Sequence, residues 1–163
     1  MIRSVMVAVA MLSIYSMARA EGAPTVHVTI GSALLSKADD IGRRDLEDLK
    51  HDLRDTVTRA IKRSGGGGGQ LREIDLVIED AKPNRPTFEQ MGRNASLSMS
   101  SISIGGARIS GQVIDADGVS HALDLRYYET DIRDSRGAVT WTDADRAFDL
   151  VATRIATGRY HRE

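Results

Sequence analysis

Histidine side chains are the first place to look for metal or acid–base chemistry in this sequence. The four histidines are His27, His51, His121 and His161. None of them lies in an H-x-H, H-x3-H or H-E-x-x-H arrangement, the spacings at which one segment supplies two zinc ligands. A metal site would have to assemble residues from distant segments. The spacing therefore predicts no metal and no cofactor.

Acidic residues suggest two further chemistries. Asp115 precedes Gly118 in the segment DADG, as in a calcium loop, but the residues after this segment lack the bidentate Glu that such a loop requires. A second acidic cluster could supply an acid and a base for hydrolysis. It consists of Asp131, Asp134, Asp143 and Asp145. Such runs are usually solvated loops and helix starts, and no G-x-S-x-G nucleophile motif accompanies them. A turn and a solvated acidic surface are the simpler interpretations.

The five consecutive glycines at residues 65–69 follow Lys62 and Arg63 and could be taken for a phosphate-binding loop. A phosphate loop must precede a helix, because the anion sits on the free N–H groups at the helix N-terminus. These glycines follow a predicted helix and precede a predicted strand, so we interpret them as a flexible connector. One of them should adopt the left-handed conformation just beyond the helix C-cap. Gly105 and Gly106 also precede a strand and indicate a bend or bulge.

Five side chains are less easily explained by packing. They are Arg85, Phe88, Arg93, Arg108 and Trp141. Arginine and aromatic side chains are enriched in the hot spots of binding surfaces. Three of the five lie in residues 81–96, which show no helical or strand period, and long irregular segments are often functional. We predict that this loop, with an exposed edge or face of the sheet, binds a partner. The alternative is that Phe88 and Trp141 belong to the core.

The elements that must position these residues follow from hydrophobic periodicity. Residues 25–30 alternate as a half-buried strand, and residues 71–79 form a second strand with Ile74, Leu76 and Ile78 on one face. Between them, residues 43–62 carry apolar side chains at spacings of three and four, which predicts an amphipathic helix. The apolar stripe consists of Leu46, Leu49, Leu53, Val57, Ala60 and Ile61.

The second half of the chain predicts a hairpin and a helix. Residues 97–104 alternate like a strand but change phase, which suggests a bulge. The segments 107–114 and 119–128 flank the Asp-Gly turn of a hairpin. A helix should start with Thr142 as its cap and Asp145 three residues on, and end near a C-cap glycine at residue 158.

This order of elements, β-α-β-β-β-α, predicts an α+β fold. We expect a two-layer sandwich in which a mixed four- to five-stranded sheet carries both helices on one face. The first two strands should be parallel, because a helix connects them, and the others antiparallel. Residues 21–163 are long enough for a single domain.

The N-terminal residues predict export. Arg3 precedes an apolar run, and Ala18 and Ala20 form a small-x-small site, so residues 1–20 are typical of a signal peptide that is cut after Ala20. The run is too short to span a bilayer, and no later stretch approaches that length. The chain has no cysteine, which excludes disulfides and thiolate chemistry. We expect a periplasmic protein whose own core holds it together.

Four segments carry a resemblance to other proteins: IGRRDLEDLKHDL, PNRPTFEQM, SIGGARISG and TWTDADRAFD. Taken in this order they resemble small exported bacterial proteins of unknown function that have the same order of strands and helices. The resemblance covers most of the chain after residue 20. It implies a location in the bacterial envelope and transfers no active-site residue.

Charge and motifs together favour a binding module over an enzyme. The chain has 22 basic and 23 acidic side chains, a balance that predicts neither nucleic acid nor an anionic membrane as partner. We expect a non-enzymatic periplasmic module that binds a protein or another envelope component. The alternatives are a small-ligand or metal-binding protein and, third, a small hydrolase.

Overall fold

The computed structural model describes residues 23–65 and 71–160. The predicted signal peptide with its cut after Ala20, most of the glycine run, and His161 lie outside these ranges.

Four strands form one mixed sheet in the order β1-β2-β3-β4. They are β1 (Thr25–Ile30), β2 (Leu71–Lys82), β3 (Gly106–Asp115) and β4 (Ser120–Tyr128). β1 pairs with β2 in parallel, and the other two pairings are antiparallel. The predicted mixed sheet of four to five strands, the parallel pair and the hairpin are therefore confirmed, and the sheet has four strands.

Two long helices cover one side of this sheet, as predicted. α3 (Arg43–Arg63) packs on β1, α5 (Thr142–Ala156) packs on β3 and β4, and the two helices contact each other. Three short helices complete the described part of the chain: α1 (Ser32–Leu35), α2 (Ala38–Ile41) and α4 (Phe88–Arg93). The result is an α+β fold in which helices pack on an open sheet.

Strand periodicity divides the sheet into a buried and an open face. Ile74, Leu76 and Ile78 of β2 are at most 1% exposed and contribute to the hydrophobic core beneath the helices. The intervening side chains point the other way, onto a polar surface that we call the open face. Its members include His27, Glu73, Asp75, Glu79, Arg108, Ser110, Gln112, Asp124 and Arg126.

The ends of both long helices show how glycine terminates them. Gly65 and Gly158 lie just beyond α3 and α5 and have φ of 68°, in the left-handed region predicted for such positions. The predicted cap at the start of α5 is wrong. Trp141 is the N-cap residue, and the Thr142 hydroxyl accepts a hydrogen bond from the Val139 amide at 2.8 Å instead.

Two irregular segments also differ from expectation. Residues 97–104 contain turns rather than a strand, because serine hydroxyls take up backbone groups: the Ser98 amide donates to Ser101 Oγ at 3.1 Å. Residues 81–96 are not loop throughout. β2 continues to Lys82. α4 is a six-residue helix that begins with a capping box between Thr87 and Gln90.

Across residues 23–65 and 71–160, no helix combines the length and apolar character needed to cross a bilayer.

Candidate binding site

The irregular parts of the chain meet at one end of the sheet. Lys82 at the end of β2 pairs with Gly106 at the start of β3, and Gly106 pairs with Tyr128 at the end of β4. The segments 83–105 and 129–141 therefore leave the sheet side by side. We call these two segments the loop end.

Asn84 is a buried hub of the loop end. Its Nδ2 group donates to the Asp143 carboxylate, to Ser135 Oγ at 3.3 Å and to the Ser103 carbonyl at 3.4 Å. Its Oδ1 atom accepts from the Asp143 amide at 2.9 Å. Asn84 and Ser135 are fully buried and Asp143 is 1% exposed, so these groups depend on one another for their hydrogen bonds.

The backbone around Asn84 is fixed as tightly as its side chain. The Asn84 amide donates to the Thr140 carbonyl at 2.7 Å, and its carbonyl accepts from the Ser103 amide at 2.9 Å. Gly105 packs directly against it: a Cβ atom at Gly105 would lie 2.5 Å from Asn84 Oδ1. Only glycine permits this approach, so the packing of Asn84 requires glycine at position 105.

The negative charge of the Asp143 carboxylate is paired with the positive charge of an arginine on the same helix. Arg146 Nη1 lies 3.1 Å from Asp143 Oδ1 and 3.3 Å from Glu129 Oε2. Gly105 donates its amide to Asp143 Oδ2 at 3.3 Å. A buried carboxylate with this many donors is a structural anchor rather than a free acid or base.

Arg85 holds the two segments together with its guanidinium group. Nε donates to the Ala138 carbonyl at 3.0 Å, Nη2 to the Arg136 carbonyl at 2.8 Å, and Nη1 to the Met99 carbonyl at 3.0 Å. The planar fork of arginine suits such multiple donation. Arg85 therefore positions the loop end, and its hydrogen-bonding capacity is largely used within the protein.

Helix α4 presents an aromatic side chain to solvent. Phe88, at its first position, is 82% exposed. One hydrogen bond links this helix to α2, since Gln90 Nε2 donates to Asp40 Oδ2 at 3.1 Å. Arg93 and Glu89 form an ion pair within α4 at 2.9 Å. Phe88 is thus exposed on a short helix that contacts α2.

Apolar exposure is concentrated at the loop end. Within the described ranges eight large apolar side chains are exposed, and five of them belong to these two segments. They are Phe88, Met99, Ile102, Ile132 and Val139. Next to α4 lies an open depression of about 270 Å³, lined by Pro83, Pro86, Leu97 and Ile102 with Lys82 and Gln90 among its polar groups.

Two of the predicted binding residues are set apart from the other three. Trp141, the last residue of the loop end, is partly buried against the core, and its Nε1 group donates to Asp45 Oδ1 at 3.0 Å. Arg108 is on the open face, where it pairs with Asp124 at 3.1 Å. The structure brings Arg85, Phe88 and Arg93 together at the loop end and separates Arg108 from them. A binding role for any of the five stays a prediction.

A second depression, of about 580 Å³, lies along the edge strand β4, between residues of the open face and Arg154 of α5. Tyr128 donates to Asp80 Oδ2 at 2.7 Å, and Lys37 donates to Asp80 Oδ1 at 2.8 Å. Burial acts to raise the pKa of Asp80, but these two hydrogen bonds outweigh it and hold that pKa below its ordinary value. Asp80 is therefore ionised at neutral pH and unsuited to general-acid work.

Three carboxylates of the acidic cluster considered for hydrolysis have different partners. Asp131 pairs with Arg133, Asp143 is enclosed by Asn84 and Arg146, and Asp145 faces the carboxylates of other helical residues. These carboxylates have separate surroundings. The hydrolase alternative stays a prediction.

Comparison with known proteins leaves the family open: no protein-family model matches the chain, and no curated protein is significantly similar to it. The resemblance to small exported bacterial proteins accordingly stays a prediction.

The sequence did not single out Asn84, Met99, Ile102 or Val139 as important residues of this end. Asn84 stands between prolines in a polar segment, where an exposed turn residue is the usual expectation. The signal that could have drawn attention to it is the Gly105-Gly106 pair, since paired glycines often mark a close approach of another group.

Proposed function

We propose that the protein is an exported, non-enzymatic binding module whose loop end binds an apolar segment of a partner protein in the bacterial envelope. The observation that carries this proposal is that five of the eight exposed large apolar side chains in the described ranges lie on the two segments of the loop end, which the buried hydrogen bonds of Asn84 fix. Exposed apolar surface that is confined to one part of a protein is a sign of an interaction site.

Rigid presentation supports binding by lowering its entropic cost. Ordering a loop on association consumes interaction free energy, and a loop that is ordered beforehand avoids that loss. At the loop end, Arg85 and Asn84 already fix the segments that carry Met99, Ile102 and Val139. The partner would meet a preformed surface.

The occupant that fits this surface is an apolar stretch of polypeptide. Phe88 can enter a pocket of the partner, because aromatic side chains give large contact area at small rotamer cost. In return, the depression lined by Pro83, Pro86 and Leu97 can accept an apolar side chain of the partner. Both contacts bury apolar area without requiring a free charge.

The envelope location rests on the predicted signal peptide. Cell fractionation followed by N-terminal sequencing tests it: we expect the mature chain in the periplasmic fraction, beginning at Glu21. A cytosolic chain that still starts at Met1 would contradict the location without touching the binding proposal.

Crosslinking tests the binding surface. A photoreactive amino acid at position 88 should crosslink one envelope protein in intact cells, and the same probe at Leu150 should not, because Leu150 is exposed on α5 away from the loop end. The captured protein, once purified, should bind wild type and Leu150→Ala equally. Phe88→Ala should weaken that binding by tenfold or more, about 1.4 kcal/mol. Equal binding by all three proteins would overturn the proposal.

A further inference from the structure

Three potential metal ligands meet on the open face at the other end of the sheet. His27 lies on β1, and Glu73 and Asp75 lie on β2. One imidazole nitrogen and one oxygen from each carboxylate lie within 4.8 Å of one another. No other such group of three occurs in residues 23–65 or 71–160.

The sheet itself places these ligands. Glu73 and Asp75 are two residues apart on one strand and therefore point to the same face. His27 is the register partner of Asp75 across the parallel pair. The sequence alone predicts no metal site because no local histidine spacing exists, but strand pairing brings together residues that are distant along the chain.

The ligand set suits a first-row divalent cation. Zinc is held by imidazole nitrogen and carboxylate oxygen at about 2.0–2.2 Å, usually with four ligands. His27 Nε2 and Glu73 Oε1 are 4.0 Å apart, and both side chains are partly exposed and free to adjust their rotamers. A tetrahedral ion needs ligand atoms roughly 3.4 Å apart, so only small rotations are required.

Neighbouring groups already orient one of the carboxylates. Gln112 Nε2 donates to Asp75 Oδ2 at 3.0 Å, and Gln112 Oε1 in turn accepts from Ser120 Oγ at 3.0 Å. This chain of hydrogen bonds crosses β2, β3 and β4 and leaves the other oxygen of Asp75 for a ligand. Such outer contacts commonly fix the geometry of metal ligands.

We propose that His27, Glu73 and Asp75 bind one zinc ion on the open face, with the fourth position left to water or to a group of a partner. The imidazole ligand disfavours Mg²⁺ and Ca²⁺, which prefer all-oxygen sites. This site lies near the starts of β1 and β2, whereas the loop end follows the end of β2. The two proposals can therefore fail independently.

Calorimetric titration of tag-free protein with ZnCl₂ tests the inference. We expect one equivalent of zinc to bind to wild type, and MgCl₂ at the same concentration to give no comparable signal. His27→Ala and Asp75→Asn should each weaken zinc binding at least tenfold, and Gln112→Ala by roughly tenfold through loss of orientation. His51→Ala is the matched control, since His51 is exposed on α3, and it should bind zinc like wild type.

Cobalt provides a readout of geometry. Co²⁺ in a four-coordinate site absorbs strongly in the visible range, so wild type should develop this band and His27→Ala should not. Circular dichroism of each variant verifies that the fold is kept. Several weak zinc sites that are unaffected by the His27 and Asp75 substitutions would overturn the inference, as would unchanged affinity in Glu73→Gln.

Discussion

The two ends of the sheet are built on opposite principles. At the hairpin end, β3 turns into β4 within a few residues, and Asp115 Oδ1 accepts from the amides of Asp117 and Val119 at 2.9 Å. At the loop end, Asn84 and Arg85 form hydrogen bonds with residues that lie 51 to 59 positions away in sequence. Their other hydrogen bonds include those to the segment 97–104. One end is closed by local hydrogen bonds and the other by long-range ones, so their stabilities should respond differently to substitution.

Asn84→Ala should have the largest effect on stability among the substitutions that test this difference between the two ends. The substitution removes both polar groups of a buried side chain and strips the Asp143 carboxylate of a donor, which should lower the free energy of unfolding by about 3 kcal/mol. Urea unfolding measures this value. Asn94→Ala is the control, because Asn94 is exposed and its side chain bonds only to Ser96, and it should cost less than about 0.5 kcal/mol. Equal effects would mean that Asn84 is not a hub.

Arg85→Met should have the next largest effect. It keeps an apolar stem but loses three donations to carbonyls, for a cost of about 1.5 kcal/mol because two of the three bonds are exposed. Hydrogen exchange should accelerate in residues 97–104 and 131–141 while the hairpin stays protected. Arg93→Met breaks an exposed pair only and should change stability by less than about 0.5 kcal/mol. Uniform acceleration along the chain would contradict the division into two ends.

The hairpin end is probed by Gly118→Ala. Gly118 has φ of 85°, which costs an alanine about 1 kcal/mol even though nothing obstructs its methyl group. Gly137 at the loop end also faces open space but has no positive φ. Gly137→Ala should therefore be neutral or stabilising by less than about 0.5 kcal/mol. A similar loss in both variants would show that backbone strain does not distinguish the turn.

The smallest effect concerns Asp145, two residues after Asp143 but outside the hub. Burial, and then the charges of Asp52 and Asp149, raise the pKa of Asp145 to about 6. Because the folded pKa lies above the ordinary value of 3.8, its contribution to stability is present below that value and is lost as pH rises through about 6. Asp145→Asn should therefore stabilise the protein at pH 7.

The expected gain is only about 0.5 kcal/mol, because Asp145 keeps much of its solvent contact and its charge is screened. Thermal unfolding of Asp145→Asn and wild type at pH 7 and pH 4 measures it, and the difference should vanish at the lower pH. A destabilised variant at pH 7 would show that the carboxylate is not under electrostatic repulsion.

The same contrast explains what the sequence could predict. β1, α3 and the hairpin follow from alternation, from spacings of three and four, and from an Asp-Gly turn, all of which are local signals. The serine-rich segment 97–104 alternates as well, yet it forms turns because hydroxyl groups compete for its backbone. Alternation indicates a strand only where one face has a core to cover.

The candidate site is predictable only in part. The lack of a period in residues 81–96 indicates a candidate binding segment, and Phe88 is exposed there. That Arg85 serves the fold could not be read from the sequence, because its acceptors are backbone carbonyls of distant residues, which carry no residue-specific signal. Helix α4 could not be predicted, because six residues are too few to show the hydrophobic period of a helix.

The charges of the loop end also bear on how fast a partner can arrive. Its two segments carry four basic and four acidic side chains, so little net field extends from them to guide an approaching molecule. Encounter would then proceed by unassisted diffusion, at about 10⁵–10⁶ M⁻¹s⁻¹, and added salt would barely alter it.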